Sequence, residues 1–270
     1  MERISVIMPL YNCAQFLEQT VKSVQRQTYS NWELIIVDDA SKDNSYQIAC
    51  RLARTDPRIH VLRNTENKGV AACRNIAQQK ATGRYIAFLD SDDLWSKNKL
   101  RLQYLFMERK NIALSHTAYA YMNEQGIISN TGRNTVDSVL NLDRYMKTTQ
   151  INISTVMFDK EKVPLLHFPE DRQLCEDARV WMPLMHKGYQ FHGLNKVLTL
   201  YRIRTHQLSR NKFRMAQNTL IRYWHEKQLP APLRLYYFLH YAINGVRKRI
   251  RPARFNIRFV QERFLDNFHS

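Results

Sequence analysis

The sequence predicts an α/β protein: a mostly parallel sheet flanked by helices, followed by a basic helical extension. Three observations carry that expectation. Over the first 110 residues, short β-branched or aromatic runs alternate with helix-period segments of roughly 10–15 residues, the pattern of right-handed βαβ units. Three of the four strand candidates there end in polar side chains, at Tyr11-Asn12, Asp38-Asp39 and Asp90-Asp92. Parallel strands bring such ends to one edge of the sheet, outside which ligands of these folds sit. From Asn211 onward the pattern turns helical and strongly basic.

Taken in order, residues 4–10 (ISVIMPL) form a β-branched apolar run and residues 14–28 follow a helix period. Residues 32–37 (WELIIV) are a second buried strand; Ser41 or Asp43 suits the N-cap of a helix over 44–54, which Asp56-Pro57 stops. A third strand spans 59–62, and a third helix over 69–81 is closed by Thr82-Gly83. Residues 85–89 form a fourth strand, with a helix from about 96 to 110. Beyond it, 112–122 alternates weakly, Asn123-Glu124-Gln125-Gly126 reads as a turn, and 155–158 is a short strand candidate. An amphipathic helix over 174–187 opens on Glu176-Asp177 and ends at Gly188. Residues 189–203 read as a pair of strands, and prolines at 230, 232 and 252 divide the helical tail.

A chain of 270 residues can bury a sizeable core. Its 44% hydrophobic and 11% aromatic content argues against disorder. The four cysteines, Cys13, Cys50, Cys73 and Cys175, show no CxxC spacing and read as reduced, mostly buried small residues of a cytosolic protein. No signal peptide is expected, because the opening apolar run is short and broken by Pro9, and no window is apolar for long enough to span a membrane. The net charge of +17 calls for an acidic partner. From Arg202 onward there are 15 Lys and Arg against 3 Asp and Glu, a net of +12, which leaves +5 for residues 1–201. Basicity belongs to the tail.

The stretch RYIAFLDSDDLW, residues 84–95, places three carboxylates within four residues at a strand end. Like charges so close repel unless a cation lies among them. A hard divalent cation, magnesium or manganese, takes oxygen ligands and often only one or two carboxylates beside substrate phosphates. The alternative is an acidic turn that caps the next helix.

Six segments occur together and in order: SVIMPLYN, VDDASKDNS, ENKGVAACRN, GRYIAFLDSDD, the ED at 176–177, and YRIRTHQLS at 201–209. With them the chain resembles glycosyltransferase family 2, the inverting nucleotide-sugar-dependent enzymes with a GT-A fold and a Rossmann-like sheet. Within that family it looks closest to bacterial teichuronic-acid and related surface-polysaccharide enzymes. The resemblance implies a catalytic domain over 1–209, its nucleotide-binding half about 1–110 and its acceptor half about 111–209, with a basic tail over 210–270. It implies that Pro9 and Tyr11 line the base pocket and that Asp39 accepts from the uracil N3–H, so the donor is a UDP-sugar. A carboxylate, an acceptor only, suits that donor group. Arg74 falls in the stretch that approaches the donor, or is a helix-surface arginine paired to an acid. Asp90 and Asp92 match the DxD motif, Asp92 as the metal ligand and Asp90 toward the ribose or a metal-bound water. The cation, manganese or magnesium, assists the departing UDP. Asp177 matches the general base that deprotonates the acceptor hydroxyl, and burial beside Trp181 would raise its pKa usefully; the alternative is a helix N-terminal charge. Where such enzymes read Tyr-Arg-x-His, this chain has Arg204, with His206 two residues later. Arg204 can then ion-pair with the diphosphate. The QxxRW signature of processive synthases is absent, so single sugar addition is expected.

The expected partners are a nucleotide-sugar, a lipid-linked saccharide acceptor in bacterial surface polysaccharide or lipopolysaccharide synthesis, and an anionic membrane surface. Residues 233–246 (LRLYYFLHYAINGV) followed by Arg247, Lys248, Arg249, Arg251 and Arg254 have the composition of an interfacial helix on the cytoplasmic leaflet. The alternative is a helical pair packed on the core with a solvated basic face. Two rival functions stand beside this one. A nucleotidyltransferase would carry a Gly-rich phosphate loop near the first strand, where Tyr11-Asn12-Cys13 stands instead. A nucleic-acid-binding protein is suggested by the charge but opposed by the acidic ligand edge, so no nucleic-acid partner is expected.

Overall fold

The computed structural model describes residues 1–133, 135–171, 176–204 and 212–250, with Val260 and Phe264. Four strands, β1 (Ile4–Leu10), β2 (Trp32–Asp38), β3 (Ile59–Arg63) and β4 (Tyr85–Phe88), run parallel in the order β3-β2-β1-β4. They alternate with α1 (Ala14–Gln25), α2 (Ser45–Thr55) and α3 (Val70–Lys80). Every residue of β1 and β2 is buried, which is why both read as continuous apolar runs: helices cover both faces of the sheet. Ile4, Val6 and Met8 belong to one core layer and Ile7, Ile35 and Val37 to the other, the two-residue period of a strand. Pro9, buried and paired with Val37, lies beyond the point where β1 leaves β4, since that ladder stops at Ile7 and Phe88. A residue without N–H is tolerated there.

The second half completes the sheet. β5 (Leu94–Trp95) and α4 (Lys99–Lys110) follow β4; then come β6 (Leu114–Met122), β7 (Ile128–Arg133), β8 (Val139–Leu140), α5 (Leu142–Thr148), β9 (Met157–Asp159), α6 (Ala178–His186) and β10 (Phe191–Arg202). β9 runs antiparallel between β4 and β6, whereas β10 is parallel to β6. The sheet is therefore mixed but mostly parallel where the loops converge.

Two sequence expectations are corrected. Residues 189–203 form one strand, not two; its register shifts between Leu194 and Thr199. The exposed Asn195-Lys196 looked like a turn and is instead an irregularity within β10. The helix expected from residue 96 begins at Lys99, because Leu94 and Trp95 pair with Leu200 and Thr199 of β10 before the chain can coil. Cys13, Cys50 and Cys73 are free, and burial pushes the Cys13 and Cys73 thiols up to about 12; Cys175 lies outside the described residues.

Two tail helices follow: α8 (Ala231–Ile250) packs on α5 and α7 (Lys212–His225) packs on α8, and they join the core through Tyr237 and Tyr223. Tyr223 donates to the Met146 carbonyl, Tyr237 to Asp143 at 3.0 Å, and the Asn244 amide to the Lys147 carbonyl at 2.7 Å. No helix among the described residues is long and apolar enough to cross a membrane.

Candidate active site

The edge where β1, β2 and β4 end is built from three loops. Asn12, after β1, has φ +46°, and Ala40, after β2, has φ +55°. These strained turns are held by the neighbouring loop. The N–H groups of Asn12, Cys13 and Ala14, orphan donors at the start of α1, donate to Ser41, Ser45 and Asp43 at 3.1, 2.7 and 3.0 Å. Cys13 cannot cap α1 itself, so the SKDNS stretch caps it in trans while Asp43 also receives the Ser45 N–H. Asp39 is buried and ties the entry of α3, accepting from Asn64 Nδ2 (2.8 Å) and from the N–H groups of Lys68 (2.8 Å) and Gly69 (2.7 Å). Gly69 has φ +94°, a backbone conformation that a side chain would resist. Tyr11, 43% exposed, stands free at the same edge.

The DSDD loop after β4 is gripped by its backbone. Ser154 Oγ accepts from the Asp90 N–H at 3.1 Å, Thr20 donates to the Ser91 carbonyl at 2.9 Å, and Arg202 Nε donates to the Asp92 carbonyl at 2.7 Å. The three carboxylates of the loop have different fates. Asp93 is buried and accepts from the Arg202 N–H at 2.9 Å. Burial, then the charges of Asp92 and Asp90, push its carboxyl well above the usual range, so it braces the loop and does not face the ligand edge. Asp92 keeps some exposure and pairs with Arg204 at 3.3 Å; burial and then Asp90 raise its carboxyl. Asp90 pairs with Arg74 at 2.8 Å.

Arg74 is the residue that joins the halves of the site. Its side chain is only 3% exposed and its guanidinium forks between Asp90 and Glu176, the latter at 2.5 Å. A planar cation with divergent donors suits that bridge better than lysine would. The bridge ties the DxD loop to the N-terminus of α6, where Asp177 is the N-cap and accepts from the Ala178 N–H at 2.7 Å. Burial, then the charge of Glu176, push the Asp177 carboxyl up to about 6, against the opposing pull of Arg74 and the Ala178 amide. Trp181 packs one turn further along α6, fully buried.

Sequence reasoning singled out Asp90, Asp92, Arg74 and Arg204, and the structure links them pairwise: Arg74 to Asp90, Arg204 to Asp92. Arg74 is paired to acids, yet it is buried, not on a helix surface. Asp39, Pro9 and Tyr11 sit at the ends of β1 and β2 on the same edge. Two residues were missed. Arg202 holds the Asp92 carbonyl, Gln19 at 2.7 Å and, through its N–H, Asp93, with its guanidinium 4.4 Å from the Phe16 ring centre. Glu176 was read only as helix-end charge. The YRIRT segment and the Glu-Asp pair were visible, but a partner more than 100 residues away was not. His206 lies outside the described residues.

Residues 5–160 match the model of Glycosyl transferase family 2. TuaG of Bacillus subtilis (strain 168), whose name provisionally assigns it to teichuronic acid biosynthesis as a glycosyltransferase, is 38% identical over 92% of this chain and 97% of its own. The Escherichia coli UDP-Glc:alpha-D-GlcNAc-diphosphoundecaprenol beta-1,3-glucosyltransferase WfaP is 36% identical, covering 92% of this chain and 96% of WfaP. Among solved structures, the mannosyltransferase PcManGT from Pyrobaculum calidifontis, in complex with GDP-Man and Mn2+, aligns with TM-score 0.67 at 18% identity, over 93% of this chain and 76% of that one. S. aureus TarS 1-349 in complex with UDP-GlcNAc aligns with TM-score 0.66 at 20% identity, over 89% and 71%. At such identities the two structures speak for the fold alone, an α/β sheet of the GT-A kind. The family match and the near full-length relatives settle the assignment: this chain is a glycosyltransferase of family 2.

Proposed function

We propose that the protein transfers a single hexose from a UDP-sugar to a saccharide carried on a lipid diphosphate, with inversion, in synthesis of a bacterial surface polysaccharide. The observation that carries this reading is the Arg74 bridge, which joins the DxD loop to Glu176 at the start of α6, next to Asp177, a half-buried carboxylate of raised pKa. Relatives named for UDP-Glc and a diphosphoundecaprenol acceptor support the substrate classes.

In this reading the exposed Tyr11 ring covers the base and Pro9 shapes the floor beside it. Asp39 retains acceptor capacity for the uracil N3–H, since each carboxylate oxygen takes more than one donor. The donor set of the DSDD loop fits a divalent cation: two carboxylates close enough to repel, and hard oxygen ligands only. Among the described residues no group of three His, Cys, Asp or Glu could hold a metal ion by itself, so a magnesium or manganese ion there would need further oxygen ligands from the substrate. A cation held by Asp92 supplies Lewis-acid neutralisation of the leaving diphosphate. Asp90, held by Arg74, would serve the ribose or a cation-bound water, and Arg204 would exchange Asp92 for a diphosphate oxygen. Asp177 removes the proton of the acceptor hydroxyl as that oxygen attacks the anomeric carbon opposite the UDP.

A panel of UDP- and GDP-sugars with manganese, read by nucleotide release and by transfer to a GlcNAc-diphospholipid, tests the substrate classes. Turnover of a UDP-hexose supports them; turnover of GDP-sugars alone overturns the role given to Asp39. The base assignment has a signature in pH. A base works when ionised, so kcat/KM should fall about tenfold per pH unit below roughly pH 6. Glu176→Gln removes the neighbouring negative charge that raises Asp177, so its acid limb should move to lower pH. A limb that stays put, or moves up, removes Asp177 from the role.

A further inference from the structure

The exposed apolar surface of this chain is concentrated on its last two described helices. Of the 15 large hydrophobic residues exposed among the described residues, eight lie on α7 and α8. On α8, Leu235, Leu239, Ile243 and Val246 are 53, 52, 47 and 56% exposed. Their spacing of four, four and three places them in one stripe along the helix. The opposite face is fixed: Tyr237 is buried in the core, and Asn244 is bonded to the Lys147 carbonyl. The helix therefore cannot roll the stripe inward.

That outward face carries no charge. Between residues 231 and 246 the sole Lys, Arg, Asp or Glu is Arg234. Its guanidinium donates to the carbonyls of Leu229 (2.7 Å) and Trp224 (2.8 Å), across the end of α7. An uncharged outer face on a chain of net +17 is an anomaly for a helix meeting only water. The cations come immediately after it, at Arg247, Lys248, Arg249, Arg251 and Arg254.

We infer that α8 lies flat on an anionic phospholipid bilayer, its Leu235–Val246 stripe among the acyl chains nearest the headgroups and the following basic cluster among the headgroups. An amphipathic helix of 20 residues, about 30 Å long, that is not apolar enough to span has the right form for this. Charge decides the occupant. A second copy laid against the stripe would bring a segment of net +12 toward another of +12, whereas an anionic leaflet attracts each basic residue within a Debye length. The inference stands on the helix alone and holds whether or not the acceptor is lipid-linked.

Flotation with vesicles of phosphatidylglycerol and phosphatidylethanolamine, against phosphatidylcholine vesicles, tests it. The protein should float with the anionic vesicles at low salt, and at least tenfold less protein should float at high salt or with phosphatidylcholine. The double substitution Leu239→Glu with Ile243→Glu should weaken flotation at least tenfold, as should Gln at all five basic positions. Both variants should preserve thermal midpoint and UDP-sugar hydrolysis. Absence of wild-type flotation at low salt overturns the inference, as does unaltered flotation of the Leu239→Glu/Ile243→Glu protein. So does a wild-type dimer that this pair of substitutions splits, which would make the stripe a subunit contact. Hydrolysis by the wild type without vesicles keeps the two readings apart: wild type that turns over but does not float defeats only the membrane role, and wild type that floats without turnover defeats only the enzymatic one.

Discussion

Asp177→Asn is expected to lower kcat by about 10²–10⁴-fold, the usual contribution of a positioned general base, while UDP affinity changes by less than about twofold. The substitution is a clean one for a structural reason. Asp177 caps α6 through its side chain, and asparagine caps a helix about as well as aspartate. The helix therefore keeps its start, Arg74 keeps Glu176, and the loss reports proton removal and not unfolding. A fall in kcat and kcat/KM together is the mark of an interaction made in the transition state. Isothermal titration with UDP in the presence of manganese supplies the second readout. Loss of UDP binding in that variant would place Asp177 in the donor pocket and leave the base unassigned.

Asp92→Ala should abolish transfer and the manganese-dependent part of UDP binding, with the ligand-free fold intact. The carboxylate is one of a crowded set, raised by burial and by Asp90. Its removal relieves like-charge repulsion, so the thermal midpoint of the ligand-free protein should not fall. What should vanish is the upward shift of that midpoint by UDP with manganese, because a ligand that binds the folded state stabilises it in proportion to ln(1 + [L]/Kd). Chelation of the wild type with EDTA should mimic the variant. Full transfer by chelated wild type, or by Asp92→Ala, would defeat a metal-dependent mechanism and leave Arg204 as the cation facing the diphosphate.

These two residues were legible because their signals are local. The DxD pattern ends a strand whose apolar run is unmistakable, and the Glu-Asp pair opens a helix; each can be seen within about a dozen residues. The convergence of Tyr11, Asp39 and Asp90 on one edge was equally legible, since parallel strands alternating with helices force it. The second half was harder. β10 hides an irregularity behind two polar residues, and β5 exists only because β10 lies alongside it. Pairing between segments a hundred residues apart leaves no periodic mark on either.

By itself the sequence determined the fold class, the identity of the carboxylates at the strand ends and the division between a nearly balanced core and a basic tail. Those follow from periodicity, charge and order along the chain. Only the tertiary structure decided the partners and the burial of each group. It separated Asp93, buried against the Arg202 amide, from Asp92, which remains at the edge. It turned Arg74 into a bridge between Asp90 and Glu176, and raised Asp177 by half-burying it beside a second carboxylate. It also chose which face of α8 meets the core and which is left uncharged toward the outside. The physical reason is common to all four: burial and the partners of a charge depend on which distant segments share its surroundings, and those sums are made in space and not along the chain.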